Sequence, residues 1–124
     1  MFEMADERII LVTTNYVPGM KITKLIGTIF GITVRSRGLG GNIMAGLRSL
    51  AGGEIKEYTK MLGDARNMAM ERLRETADQV GANAVVDVRF DTSEVGNVMN
   101  EIVAYGTAVV VENASGTVER VSLS

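Results

Sequence analysis

Between Gly53 and Gly81 the chain carries Ile55, Tyr58, Leu62, Ala65, Ala69, Leu73, Thr76 and Val80 at steps of three and four, which lines them up on one face of an α-helix. Glu57, Lys60, Asp64, Glu71, Arg74, Glu75 and Asp78 fall mainly on the other faces. Gly52 and Gly53 precede the run and Gly81 follows it, where a glycine can close the last turn in the left-handed conformation. About 27 residues at 1.5 Å each predict a rod of about 40 Å. In a chain of 124 residues, long enough for one domain and too short for two, that rod spans the body and reaches toward a neighbouring subunit.

The remaining apolar runs have to supply what the helix packs on. Ile9 to Thr14 reads as a short strand, apolar on both faces, so that both meet protein. In Asn15-Tyr16-Val17-Pro18-Gly19, proline sets φ at the second turn position and glycine supplies positive φ at the third, a type II turn. Lys21 to Arg35 predicts one long strand whose Gly27 and Gly31 mark a bend, a bulge or a close backbone approach. Its alternation sets Ile22, Lys24, Ile26, Thr28, Phe30, Ile32 and Val34 against Thr23, Leu25, Ile29, Thr33 and Arg35. Ile43, Met44, Leu47, Leu50 and Ala51 form the stripe of a short helix capped by Asn42.

Beyond the long helix, Ala84 to Phe90 alternates, with Ala84, Val86, Val88 and Phe90 facing one way and Asp87 and Arg89 the other. Asp91 to Asn100 reads as a loop or hairpin connection. Ile102 to Val111 is a strand with apolar residues on both sides. A single helical layer covers one face of a sheet, and the economical cover for the other is another copy of the chain. The expected fold is therefore α+β: a two-layer α/β sandwich, an antiparallel or mixed sheet on one long helix plus one short helix, in a homo-oligomer. One domain is expected over residues 1–124, with its core at 8–112 and terminal extensions at 1–7 and 113–124; Val118, Val121 and Leu123 suit a short extra strand or a tail.

Composition narrows the chemistry. There is no cysteine and no histidine, so disulfides, thiolate nucleophiles, imidazole bases and the usual zinc ligands are all missing. The formal net charge is −2, and without clustered Lys and Arg no nucleic-acid partner is expected. The acidic start and the lack of any run of ~18 apolar residues predict neither a signal peptide nor a membrane span, which makes a cytoplasmic protein the expectation. With three Phe, three Tyr and no Trp, the core must be aliphatic, with eight methionines as adaptable filler.

Several stretches invite a functional reading. Gly38, Gly40, Gly41 and Asn42 follow a strand and open a helix, the setting in which backbone amides cradle an anion, and Arg35, Arg37 and Arg48 add positive charge. The run lacks the third glycine of a dinucleotide fingerprint, since Ile43 stands there, and no Gly-Lys-Ser/Thr follows; a loop that packs oligomers is the plainer account. Tyr58 and Arg66 share a helix face approximately, with Tyr58 as an amphipathic anchor that can hydrogen-bond across a subunit boundary. Met68 and Met70 point about 200° apart on a helix and fill the core rather than chelate one ion. Asp87, Asp91, Glu94 and Glu101 offer oxygens to a hard cation near the strand ends, although no calcium-loop spacing is present and a solvated acidic surface is the simpler reading. Gly63 within the helix is read as a close approach of another backbone.

In order along the chain, Thr13-Thr14-Asn15 ahead of Pro18-Gly19, Gly52-Gly53 followed by Tyr58, Ala65-Arg66 and Met70, Gly81-Ala82-Asn83-Ala84-Val85-Val86, and Ala104-Tyr105-Gly106-Thr107-Ala108-Val109 together resemble the YbjQ-like family, small uncharacterised bacterial and archaeal proteins sometimes labelled heavy-metal-binding. The resemblance covers about Ile9 to Val111. It implies an antiparallel sheet packed on the long helix and a ring-like homo-pentamer. The metal label sits poorly with a chain that has no thiol and no imidazole, because soft ions favour those donors. Function then divides into an oligomer binding a small ligand or ion at subunit boundaries, with Gly38, Gly40, Gly41, Asn42, Arg48 and Tyr58 as the ligand-binding candidates, and a purely structural or partner-binding assembly. An enzyme is disfavoured, since no nucleophile and base pair or cofactor motif is visible. The cofactor is left open.

Overall fold

A computed structural model describes residues 9–36, 56–95 and 99–114. The helical rod is α1, Lys56–Gln79, about 36 Å long. Its end is set by backbone chemistry: Gly81 takes φ 84°, its amide donates to the Asp78 carbonyl at 3.1 Å, and the Ala82 amide donates to the Ala77 carbonyl at 2.9 Å. This pair of bonds is a Schellman cap, closed by contact between two small apolar residues, and it satisfies carbonyls the helix leaves without partners.

Among the described residues there are four strands: β1 (Ile10–Leu11), β2 (Met20–Ser36), β3 (Ala84–Val95) and β4 (Met99–Asn113). They form one sheet in the order β1-β3-β4-β2, with β1 parallel to β3 and the other pairs antiparallel. The sheet is thus mixed, with α1 on one side. Residues 91–95 continue β3 and residues 99–101 begin β4, so the expected loop is mostly the end of a hairpin. The short-helix stretch and the C-terminal residues beyond 114 lie outside the described residues.

Ala65, Ala69, Leu73 and Ala77 are buried against the sheet. Ala77 is an addition to the stripe read from the sequence. Leu62 and Val80, at its two ends, remain exposed. Small side chains bring the helix axis close to the strands. Gly31 of β2 lies directly under it, where a Cβ would overlap the Ala69 carbonyl oxygen and the Leu73 nitrogen.

β2 carries both features that its glycines suggested. Its pairing with β4 slips between Ile22 and Lys24 and again between Leu25 and Gly27, leaving Thr23 and Ile26 as extra residues, and Gly27 accommodates the second bulge at φ 144°. The turn before it is also as expected: Met20 donates to the Val17 carbonyl at 3.0 Å and Gly19 has φ 76°.

The face assignment of β3 needs correction. Val85, Val88 and Phe90 pack on the helix side, whereas Ala84 and Val86 pack on the other. The register jumps from Val86↔Thr107 to Arg89↔Tyr105, so Asp87 and Val88 together oppose Gly106. Asp87, at φ 54°, is the inserted residue that flips the alternation. Among L-residues aspartate tolerates this region better than most. β1 is buried on both sides as predicted: Ile9 and Leu11 join the helix-side cluster, and Ile10 and Val12 join the second.

Candidate functional site

Among the described residues, the sheet face turned away from α1 is covered at one end only. There Val17 and Met20, from the turn before β2, pack with Ile10, Val12, Ala84, Val86, Val109 and Val111 into a second cluster. Part of the face for which another copy is the economical cover thus meets the chain's own turn. Above that cluster no described residue covers the face.

The bare part is a grid set by strand register. Arg89, Tyr105 and Phe30 form one row across β3, β4 and β2; Asp91, Val103 and Ile32 form the next; Ser93, Glu101 and Val34 form the third. The β2 column is wholly apolar and exposed, with Phe30 at 53%, Ile32 at 43% and Val34 at 49%. Lower on the same strand Ile22 and Leu25 are also exposed, Leu25 at 71%. Contiguous apolar area of this kind is unusual on a monomer. The alternation of β2 in the sequence assigns Phe30, Ile32 and Val34 to one side; the structure puts the less apolar side, Ile29, Gly31 and Thr33, under the helix. Gly31 decides the matter, because only that side lets the helix backbone approach.

The β3 column is polar. Arg89 Nη1 donates to the Thr13 and Val88 carbonyls, both at 2.9 Å, and Nη2 lies 3.8 Å from Asp87 Oδ1. Asp91 stands beside Tyr105, and Ser93 donates to Glu101 Oε1 at 3.2 Å. The negative charge of Asp91, followed by some desolvation and their hydrogen bond, pushes the Tyr105 hydroxyl above its ordinary range, with Arg89 pulling the other way. Tyr105 also meets Phe30, the ring centroids 6.2 Å apart and tilted by 36°.

On the outer edge of β2 the helix supplies a guard. Arg72 donates to the Ile32 carbonyl, and Thr76 Oγ1 lies 3.3 Å from the Phe30 carbonyl oxygen. Outward-pointing carbonyls of an edge strand are the groups a foreign strand would pair with. Beneath the helix Thr33 is 2% exposed, and its hydroxyl has no hydrogen-bond partner.

The residues singled out in the sequence are placed unevenly. Gly38, Gly40, Gly41, Asn42 and Arg48 lie outside the described residues. Tyr58 is in the first turn of α1, but its side chain is outside the described set. Arg66 reaches over the Phe90 ring at 5.9 Å, a cation–π contact that fastens helix to sheet. Met68 is exposed, not core filling, while Met70 is partly buried. Gly63 is exposed, and a Cβ there would meet nothing within 4 Å, so among the described residues it marks no close approach. The acidic residues do not converge: among the described residues no group of three or more Asp or Glu is placed to hold an ion. The Arg89, Asp91 and Tyr105 cluster went unread in the sequence, since the Asp87 bulge puts these residues on one face.

The family model described as "Putative heavy-metal-binding" matches residues 9–112. The chain belongs to the YbjQ family. UPF0145 proteins resemble it along nearly their whole length: one from Thermoplasma volcanium is 73% identical, covering 96% of this chain and 98% of that protein, and one from Thermoplasma acidophilum is 69% identical, covering 94% and 98%. A bacterial member from Bradyrhizobium is 55% identical over 88% of this chain and 98% of its own. The crystal structure of a DUF74-family protein of unknown function from Pediococcus pentosaceus has a similar fold, with a TM-score of 0.54 at 17% identity, covering 84% of this chain and 98% of that one. The donors that a YbjQ protein of this sequence can offer do not fit the family's metal label. It has no thiolate or imidazole anywhere, and thiophilic ions select those ligands. No described helix is long and apolar enough to cross a membrane.

Proposed function

We propose that this YbjQ protein acts as a self-associating module, and that the bare sheet face is its contact with further copies. The observation that carries the reading is the exposed column Phe30, Ile32 and Val34, on the side of the sheet opposite α1. Removing such a column from water is the driving force for association. The guard of Arg72 and Thr76 over the β2 edge favours contact through the face over strand pairing at the edge. The resemblance to YbjQ-like proteins adds the expectation that the assembly is a ring of five.

Native mass spectrometry of the purified protein tests this. Expected is a multiple of the 13.3 kDa subunit, falling to the single subunit when Phe30→Glu and Ile32→Glu are combined. A wild-type protein that runs as a monomer at micromolar concentration overturns the proposal.

Binding of a small ligand or ion at the subunit boundary is the second reading, favoured by the polar cluster Arg89, Asp91 and Tyr105 at the margin of the same face. A thermal-shift screen of metal ions and metabolites separates it from a purely structural assembly.

A further inference from the structure

We infer that the outer edge of β3, from Arg89 to Val95, pairs antiparallel with the same edge of a second copy of this chain. The inference rests on the reading that the protein self-associates, and it adds a second contact to the one through the sheet face. Strand order places β1 outside β3, but β1 pairs only with Ala84 and Val85. Just beyond them, the Asp87 amide donates to the Thr14 carbonyl at 2.8 Å and the Val88 amide to the Val12 carbonyl at 3.0 Å. With Val88 turned outward, the alternation of an antiparallel ladder turns the amides and carbonyls of Phe90, Thr92 and Glu94 outward too. Among the described residues no strand pairs with that side of them, and Asp91, Thr92, Ser93 and Glu94 are all exposed.

The two edges of the sheet differ. The β2 edge is interrupted by two bulges in its first half and capped by Arg72 and Thr76 in its second. Beyond Asp87, β3 has no proline, lysine or bulge to keep another strand away. Charge selects the occupant and its register. A twofold axis through Thr92 sets Thr92 against its own copy, Asp91 against the partner's Ser93, and Phe90 against the partner's Glu94. No like charges then face each other, and Arg66, which lies over the Phe90 ring, meets the partner's Glu94 with opposite charge. An axis through Asp91 would instead oppose two aspartates. A pairing this short holds lone subunits weakly, but it adds up between assemblies that each present several such edges. A face-bonded assembly therefore doubles in size through it.

The chain has no cysteine, so introduced thiols report the register. Thr92→Cys is expected to cross-link under mild oxidation to twice the 13.3 kDa subunit mass, because directly opposed residues of antiparallel strands lie within disulfide reach. Asp91→Cys, which faces the partner's Ser93, should link far less. Thr92→Pro removes an outward amide that β4 does not use, and is expected to halve the native mass with helical circular dichroism unchanged. No cross-link at Thr92→Cys, or a native mass that Thr92→Pro leaves unchanged, overturns the inference. If Phe30→Glu with Ile32→Glu still dissociates the protein in that case, self-association through the face stands without the edge. A monomeric wild type takes both down.

Discussion

Asp87 and Gly106 face each other across one bulge: Asp87 is the extra residue of β3, held at φ 54°, and Gly106 is the β4 residue that makes room for it. A Cβ on Gly106 would lie 2.7 Å from Val85 Cγ1 and 2.8 Å from the Val86 carbonyl oxygen. Asp87→Gly is expected to stabilise the fold by up to about 1 kcal/mol, because glycine removes the Cβ clash of the left-handed region and the ion pair it gives up is exposed and worth little. Gly106→Ala should cost about 1–3 kcal/mol by overpacking. Urea denaturation of the two variants checks both signs.

The two glycines that meet the helix question behave oppositely. Gly31→Ala pushes against helix backbone, which cannot yield as a side chain can, and should destabilise by about 3 kcal/mol or more. Gly63→Ala meets open space in the chain and should stabilise by about 1 kcal/mol through helix propensity. Thermal unfolding of dilute protein measures both. A destabilised Gly63→Ala would instead place another subunit's backbone against that position.

The guard on the β2 edge predicts a change in solubility as much as in stability. Thr76→Val should lose about 1 kcal/mol for its hydrogen bonds. Arg72→Ala should free the Ile32 carbonyl and speed aggregation on heating, read by light scattering.

Tyr105 predicts an alkaline limit. Its hydroxyl is raised above 10.0, chiefly by the charge of Asp91, so the folded state holds the proton more tightly than the unfolded chain does. The contribution is present in full below about pH 10, the unfolded value, and is lost as pH rises through the raised folded value. Asp91→Asn should move the Tyr105 transition to lower pH in an ultraviolet titration at tyrosinate absorbance, with Tyr105→Phe assigning it. An unchanged titration would refute the coupling.

Much of this architecture was legible in the chain. The helix period, the Gly81 cap, the Pro18-Gly19 turn and the doubly apolar β1 follow from local rules, each resting on a few neighbouring residues. What escaped depended on pairing partners. The alternation of β3 broke at Asp87, where no glycine announced a bulge, and the apolar side of β2 turned outward because Gly31 fits beneath the helix. Arg89, Asp91 and Tyr105 meet only through register, which no local pattern encodes. The anion-site residues around Gly38 to Arg48 lie outside the described residues, so their placement is carried by sequence alone.

β1 is the sheet's parallel strand, and its partner at Ala84 lies far along the chain, beyond β2 and α1. Closing so long a loop costs entropy that is recovered only once the segment is docked against β3. The antiparallel strands and the helix can therefore assemble before the N-terminal segment arrives. Its amides at Ile10 and Val12, bonded to Asn83 and Val85, would then be among the first to exchange with solvent. A strand that docks last and leaves first is also one that a neighbouring copy can borrow.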